Sequence, residues 1–220
     1  LTSPKQTRRM IPMRMKKILA ATLAATMVMA TGLTTFAATE SGSSASESTS
    51  VAAADAQYVA TADGTVTVAG SNVKTTVAGC FATKNVQGVA VVTPAADLAS
   101  KLGLTAGQKA YVTVYDTDAK KSSKAMESLN AAAQAVGGSI VSTVDFDLFA
   151  KQAGKKVVLS NGAVQVTVGL PKTADATKSY VVVRVVPGGE VTVLDNTSAN
   201  PNAVTFEVAA GQGTYAIVAK

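Results

Sequence analysis

The chain has 220 residues, of which 47% are hydrophobic and 5% are aromatic, with 20 basic and 14 acidic side chains. It contains no histidine and one cysteine, Cys80. The lack of histidine excludes Ser-His-Asp triads, Cys-His dyads and histidine-ligated zinc or iron sites. Since a single cysteine cannot form an intramolecular disulfide, a hydrophobic core must hold the fold, and the chain is long enough to bury one.

Residues 15–37 are predicted to be a cleavable secretory signal peptide. Lys16 and Lys17 give it a positive start, and an uncharged apolar segment at residues 18–30 follows. Small residues around Phe36 favour cleavage after Ala37. The apolar segment is shorter than the roughly 20 residues of a spanning helix, so we expect no membrane span after signal removal. Residues 1–14 are interpreted as an upstream extension of the reading frame.

The basic balance of the chain comes from its N-terminal segment. Residues 1–37 hold six of the 20 basic side chains and none of the acidic ones, so the exported form would carry 14 of each. A neutral exported form does not indicate a nucleic-acid partner. Residues 38–57, rich in Ser, Ala and Glu, are predicted to be a disordered linker because they cannot bury enough apolar surface to offset the entropy of ordering.

From Tyr58 onward, short β-rich segments alternate with turn residues, and the fold class is predicted to be α+β. We expect a small α+β domain over residues 58–138, containing strands and two helices. Residues 139–220 are predicted to form an all-β domain of about seven strands, the size of a small immunoglobulin-like sandwich. Whether the two parts share one core stays open at this point.

The first helix is predicted to begin after Thr93-Pro94, with the Thr93 hydroxyl as its cap, and to end at Gly103. The second is predicted from about residue 123 to 136, ending at Gly137-Gly138. Among the turns, Asn161-Gly162 is the strongest hairpin signal because both residues tolerate a positive φ. Residues 187–189, Pro-Gly-Gly, predict a second tight turn between two valine-rich strands.

The second part also resembles a known type of module. The matching segments are an acidic strand, a turn followed by a strand that ends in Leu-Pro, a valine-rich strand leading into Pro-Gly-Gly-Glu-Val-Thr-Val-Leu, and two closing strands, at residues 140–148, 161–171, 180–194, 204–206 and 215–218. In these segments the chain resembles secreted and cell-surface proteins of Gram-positive anaerobic bacteria that carry a C-terminal Ig-like β-sandwich. The resemblance implies an exported sandwich module and assigns no functional residue.

Tyr111 and Tyr115 are the candidate binding residues. With Thr113 they share one face of the predicted strand at residues 110–115, and a pair of exposed rings could stack on a glycan. The alternative is that both rings take part in cross-strand packing, which the absence of tryptophan favours.

Two groups of acidic residues are candidates for chemistry. Asp145 and Asp147 lie on one strand face; they could form the carboxylate pair of a glycosidase, but an ordinary solvated strand face is the favoured interpretation. Asp116, Asp118 and Glu127 have the spacing of positions one, three and twelve of a calcium loop. Lysines at the fifth and sixth positions argue against calcium, so we predict neither a metal nor a cofactor.

The sequence therefore favours a non-catalytic exported protein, an extracellular or cell-surface binding or adhesion module with an unknown protein or glycan partner. The alternative is a glycan- or wall-fragment-binding protein. A hydrolase that uses carboxylates alone is the third hypothesis.

Overall fold

The computed structural model describes residues 58–220, and all of them belong to one compact unit. The predicted frame extension at residues 1–14, signal peptide at 15–37 and linker at 38–57 lie outside the described residues. In the described part of the chain, no helix is long and apolar enough to span a membrane.

Two helices and thirteen strands make up the described residues. The helices are α1 (Ala95–Leu102) and α2 (Ser123–Ala135). The strands are β1 (Tyr58–Ala60), β2 (Thr65–Val68), β3 (Ser71–Lys74), β4 (Ala78–Ala82), β5 (Val89–Val91), β6 (Lys109–Asp116), β7 (Ser139–Gln152), β8 (Lys155–Val157), β9 (Ala163–Gly169), β10 (Tyr180–Val185), β11 (Val191–Leu194), β12 (Ala203–Ala209) and β13 (Gly211–Ala219).

The largest sheet, called the main sheet here, has eight strands in the order β1-β4-β6-β7-β13-β10-β11, with β8 paired to β7. Strands β4 and β6 run parallel, and the other pairs in this sheet are antiparallel. A three-stranded sheet has the order β12-β9-β5, and β2 pairs with β3. The structure thus confirms an α+β chain rich in sheet with a sandwich-like part, and the Ig-like arrangement stays a prediction.

The core lies between the inner face of the main sheet and the three-stranded sheet. Phe146 of β7 meets the ring of Phe206 from β12 edge-on at 6.1 Å between centroids, and that of Tyr215 from β13 at 5.2 Å. The same cluster includes the fully buried Phe81 and Val112, which precede residue 138. The two predicted parts therefore share one core, and β6 and β7 pair directly across the expected boundary.

Helix α2 packs on the outer face of the main sheet. Its buried residues Leu129 and Ala133 contact a second apolar cluster that includes Val183 of β10 and Ala216 of β13. The predicted extent of α2 is confirmed to within a residue. Helix α1 also has its expected bounds and ends at Gly103, but the Thr93 hydroxyl does not cap it. That hydroxyl accepts a hydrogen bond from the backbone N–H of Gln165 in β9 at 2.6 Å instead, because burial against β9 gives it a strand partner.

One of the two predicted hairpins is wrong. The Pro-Gly-Gly turn at residues 187–189 joins the paired strands β10 and β11, as expected. Asn161-Gly162 instead connects β8 in the main sheet to β9 in the three-stranded sheet, and these two strands do not pair. A two-residue turn with both φ values positive does occur at Ala153-Gly154, between the paired strands β7 and β8.

Candidate ligand-binding site

The candidate site lies on the outer face of β6 and β7, next to the start of α2. The antiparallel register places Tyr115 opposite Asp145, Thr113 opposite Asp147, and Tyr111 opposite Phe149. Since alternate residues of a strand face the same side, these three pairs form adjacent rows on one face. The predicted site residues and the predicted acidic pair are thereby brought onto one surface.

Tyr111 packs across the strands. Its ring centroid lies 5.4 Å from that of Phe149, with 44° between the planes, and the Lys151 Nζ lies 3.3 Å from its centroid. Cross-strand packing is thus what the structure shows for Tyr111. Tyr111 and Tyr115 are four residues apart on one strand, about 13 Å at the usual rise, so they do not form one continuous platform.

Asp147 is not on a solvated strand face, and that expectation is wrong for this residue. It is 8% exposed, and its Oδ2 pairs with the Lys156 Nζ of β8. The Lys156 ammonium also lies 4.5 Å from the centroid of the Phe149 ring. The short strand β8 folds back on β7 through the turn at residues 153–154, which places Lys156 where it neutralises the buried carboxylate.

Tyr115 lies at an open pocket of about 270 Å³, called the Tyr115 pocket here. The residue is 43% exposed, among the most exposed large hydrophobic residues of the described part of the chain. The pocket takes its lining from the ends of several elements and the turn after β10: Tyr115, Ser122, Ala125, Asp145, Phe146, Val185, Val186, Pro187, Gln212, Gly213 and Thr214. Asp147 does not line it.

Asp145 is the charged group of this pocket. Its Oδ1 is buried and has no hydrogen-bond partner. Burial raises the pKa of the Asp145 carboxyl above its usual range, and the neighbouring hydroxyls of Thr214 and Thr117 act in the opposite direction. Burial, together with the negative charges of Asp145 and Asp147, raises the pKa of the Tyr115 phenol, so this hydroxyl stays protonated at neutral pH. The pocket therefore offers a hydrogen-bond acceptor beside an uncharged phenol ring.

The raised pKa predicts how Asp145 affects stability. Because the folded pKa lies above the unfolded one, this group favours folding at low pH, and that contribution is lost as the pH rises through the folded value. Asp145→Asn removes the partly desolvated charge and is expected to stabilise the protein at pH 7 by about 0.5–1 kcal/mol, a small gain because solvent still screens a partly buried carboxylate.

Urea unfolding at pH 7 and below pH 4 measures this effect. The advantage of Asp145→Asn should shrink at the lower pH, where the wild-type carboxyl becomes protonated. The matched control is Asp195→Asn, at an acidic residue just after β11 that does not line the pocket. An Asp145→Asn variant that is less stable than wild type at pH 7 would contradict a raised pKa for the Asp145 carboxyl.

Two of the three acidic residues with the spacing of a calcium loop, Asp116 and Asp118, are engaged in local structure. The Asp116 carboxylate accepts hydrogen bonds from the backbone N–H groups of Lys84 and Asn85, at 2.7 and 3.2 Å. The Asp118 carboxylate accepts from the backbone N–H groups of Lys120 and Lys121, and these bonds lower its pKa. Among residues 58–220, no group of three His, Cys, Asp or Glu side chains is arranged to hold a metal ion.

No known relative supplies a function for this site. A scan against protein-family models finds no match, and searches of curated proteins and of solved structures find none either. The assignment of the site therefore depends on its geometry and chemistry.

Sequence reasoning missed the residues that complete the Tyr115 pocket. Gln212 and Thr214 come from β13, whose register places them opposite Asp147 and Asp145. Ser122 comes from the segment that precedes α2. No local pattern signals these positions, because the pairing of β7 with β13 joins segments that five other strands separate along the chain.

Proposed function

We propose that this chain is an exported, non-catalytic binding module that binds a glycan or cell-wall fragment at the Tyr115 pocket. The observation that carries the proposal is the exposed Tyr115 ring beside the Asp145 carboxylate, both at the wall of one open pocket. The predicted signal peptide and the resemblance to secreted proteins support export. An Ig-like arrangement of the C-terminal strands is proposed on the same resemblance.

Sugars fit the chemistry of this pocket. A sugar ring presents C–H groups on its face, which pack on an aromatic ring, and O–H donors at its edge. The Asp145 carboxylate can accept from such a hydroxyl, while Thr214 and Gln212 add a hydroxyl and an amide at the same wall. A volume of about 270 Å³ in an open pocket suits one end of a chain ligand rather than an enclosed small molecule.

The positions of the two carboxylates favour a binding role over glycoside hydrolysis. A glycosidase needs both carboxyl groups to reach the scissile bond from one cleft. Asp145 lines the pocket, but Asp147 is paired with Lys156 and does not line it. Tyr111, the other predicted binding residue, presents one ring face to the Lys151 ammonium, so we propose that it borders the ligand site and that Tyr115 makes the stacking contact.

Co-sedimentation tests the proposal. The full chain, expressed in an exporting host and recovered from the medium, where it should begin at Ala38, is mixed with peptidoglycan and with insoluble polysaccharides. Salt-resistant pelleting is expected with one of them. Tyr115→Ala and Asp145→Asn are expected to weaken binding about tenfold each, the usual loss for a stacking ring or a charge-assisted hydrogen bond.

Val193→Ala is the matched control, since Val193 is 48% exposed and does not line the pocket. Tyr111→Ala is measured as well, to test whether the Tyr111 ring contributes to ligand binding. If the wild-type chain pellets with nothing, the ligand is not a glycan and a protein partner should be sought. If Tyr115→Ala pellets like wild type, the ligand does not bind at this pocket.

A further inference from the structure

A second open pocket, called the Lys84 pocket here, lies at the start of β7 and has a volume of about 530 Å³. Strand β6 ends at Asp116, opposite Val144, so residues 139–143 of β7 extend past it and pair with β13 on their other side. The loop at residues 84–87, the residues 171–173 after β9, and Met126 of α2 complete its walls.

The walls of this pocket are held in place by hydrogen bonds. The Asp116 carboxylate binds the backbone of Lys84 and Asn85, and the Gln87 side-chain amide donates to the carbonyl oxygen of Leu170 at 2.7 Å. The Gln87 backbone N–H also donates to the Gly169 carbonyl oxygen at 3.0 Å. These contacts fix both loops, so the pocket is formed before any ligand arrives.

The charged side chains that line the Lys84 pocket are all basic. Lys84 and Lys172 both line it and are exposed. Among residues 58–220, none of the acidic side chains lines this pocket. The nearby Asp116 is directed to the loop backbone by its two hydrogen bonds. Two ammonium groups without a lining carboxylate favour an anionic ligand.

Ser142 supplies the second, independent observation. It lines the pocket and is 7% exposed, yet its Oγ is buried with no hydrogen-bond partner. Buried hydroxyls in folded proteins are nearly always hydrogen-bonded, so an orphan of this kind marks a group that an absent partner can satisfy. A serine hydroxyl can donate to an oxyanion.

Part of the wall is apolar, and polar side chains such as Asn85 and Thr173 lie among the apolar ones. Val86, Met126, Ile140 and Pro171 line the same pocket. We propose that the Lys84 pocket binds a small organic oxyanion, whose charged oxygens contact Lys84, Lys172 and Ser142 while its short apolar body packs on this wall. The proposal concerns residues separate from the Tyr115 pocket and does not depend on the function proposed there.

Amide nitrogen–proton correlation spectra of the labelled full chain test the proposal. The chain is titrated with sodium butyrate, sodium acetate and inorganic phosphate at constant ionic strength, with sodium chloride as reference. Saturable shifts are expected for the amides of residues 84–87 and 140–143. Butyrate should bind more tightly than acetate because the apolar wall takes part, and phosphate binding tighter than either would overturn the organic oxyanion in favour of a phosphate.

Three variants make the test specific. The double variant Lys84→Gln with Lys172→Gln is expected to weaken binding about fivefold, as two exposed ion pairs contribute modestly. Ser142→Ala should weaken it about three- to tenfold by removing one hydrogen bond to a charged group. Lys178→Gln, at an exposed lysine in the same connection that does not line the pocket, should leave the affinity unchanged.

The thermal midpoint of Ser142→Ala without ligand is measured as well. It should equal or exceed that of wild type, since the native hydroxyl has no partner to lose. Shifts that do not saturate, or that chloride reproduces, would overturn the proposal. An unchanged affinity in folded Ser142→Ala would also overturn it, since binding would then reflect surface charge alone.

Discussion

Phe81→Ala is expected to lower the free energy of unfolding by roughly 3–5 kcal/mol, the usual range for truncating a buried phenylalanine. Phe81 lies on β4, is fully buried, and belongs to the same apolar cluster as Phe146 and Phe206. Because this cluster spans both sides of residue 138, the loss should appear in one cooperative transition of the whole described unit.

Urea unfolding followed by hydrogen exchange measures this effect. Amides of β9 and β12, far from Phe81 in sequence, should exchange faster by the same free energy as those of β4 and β6. Val158→Ala is the control, because Val158 is 75% exposed and its truncation should change stability by less than about 0.5 kcal/mol. If Phe81→Ala weakens protection before residue 138 and leaves β9 and β12 unchanged, the two parts fold separately and the shared core is wrong.

Gly169→Ala is expected to destabilise the protein by roughly 3 kcal/mol, at the upper end of the usual cost of overpacking. A Cβ atom at Gly169 would lie 2.1 Å from the carbonyl oxygen of Gln87 and 2.9 Å from the backbone nitrogen of Ala69. Both neighbours are backbone atoms fixed by hydrogen bonds, since Ala69 N–H donates to Gln87 O and Gly169 N–H donates to Gly88 O. The clash therefore cannot be relieved by a change of side-chain rotamer.

The urea midpoint of Gly169→Ala measures the cost, and Gly154→Asn is the control. Gly154 has a φ of +76°, a Cβ atom added there would meet no other atom within 4 Å, and asparagine tolerates this conformation. The control should lose less than about 1 kcal/mol. A Gly169→Ala variant with wild-type stability would show that the three chain segments do not pass this closely.

The helices were predictable because their signals are local. Helix α2 has an apolar stripe at helical spacing and ends before two glycines, and both features can be read within the segment itself. The turn at residues 187–189 was predictable for the same reason. Asn161-Gly162 has the composition of a hairpin turn, but composition does not reveal that the strands on either side enter different sheets.

The architecture of the main sheet could not be predicted from local patterns. Alternating residues show which side of a strand is buried, but not which strand lies beside it. The parallel pairing of β4 with β6 requires the chain to pass through β5 and α1 before it returns, and the sequence contains no mark of that pairing. The boundary expected at residue 138 falls at a true helix end, where the chain continues into the same sheet.

The candidate site was predictable in part. The shared face of Tyr111 and Tyr115 followed from the two-residue period of a strand, and so did that of Asp145 and Asp147. Contacts with other parts of the fold give these four residues different roles. Lys156 pairs with Asp147 and Phe149 packs on Tyr111, whereas β13 and the start of α2 leave Tyr115 and Asp145 at an open pocket.

The position of β13 in the main sheet also determines when this sheet can be completed during synthesis. Of the described strands it is the last to be synthesised, yet it lies between β7 and β10 and pairs with both. Until β13 emerges from a ribosome, no strand connects β7 to β10 within the main sheet, and the aromatic cluster lacks Tyr215. A nascent chain therefore cannot complete the main sheet until this strand arrives, and the unpaired strand edges stay accessible to chaperones until then.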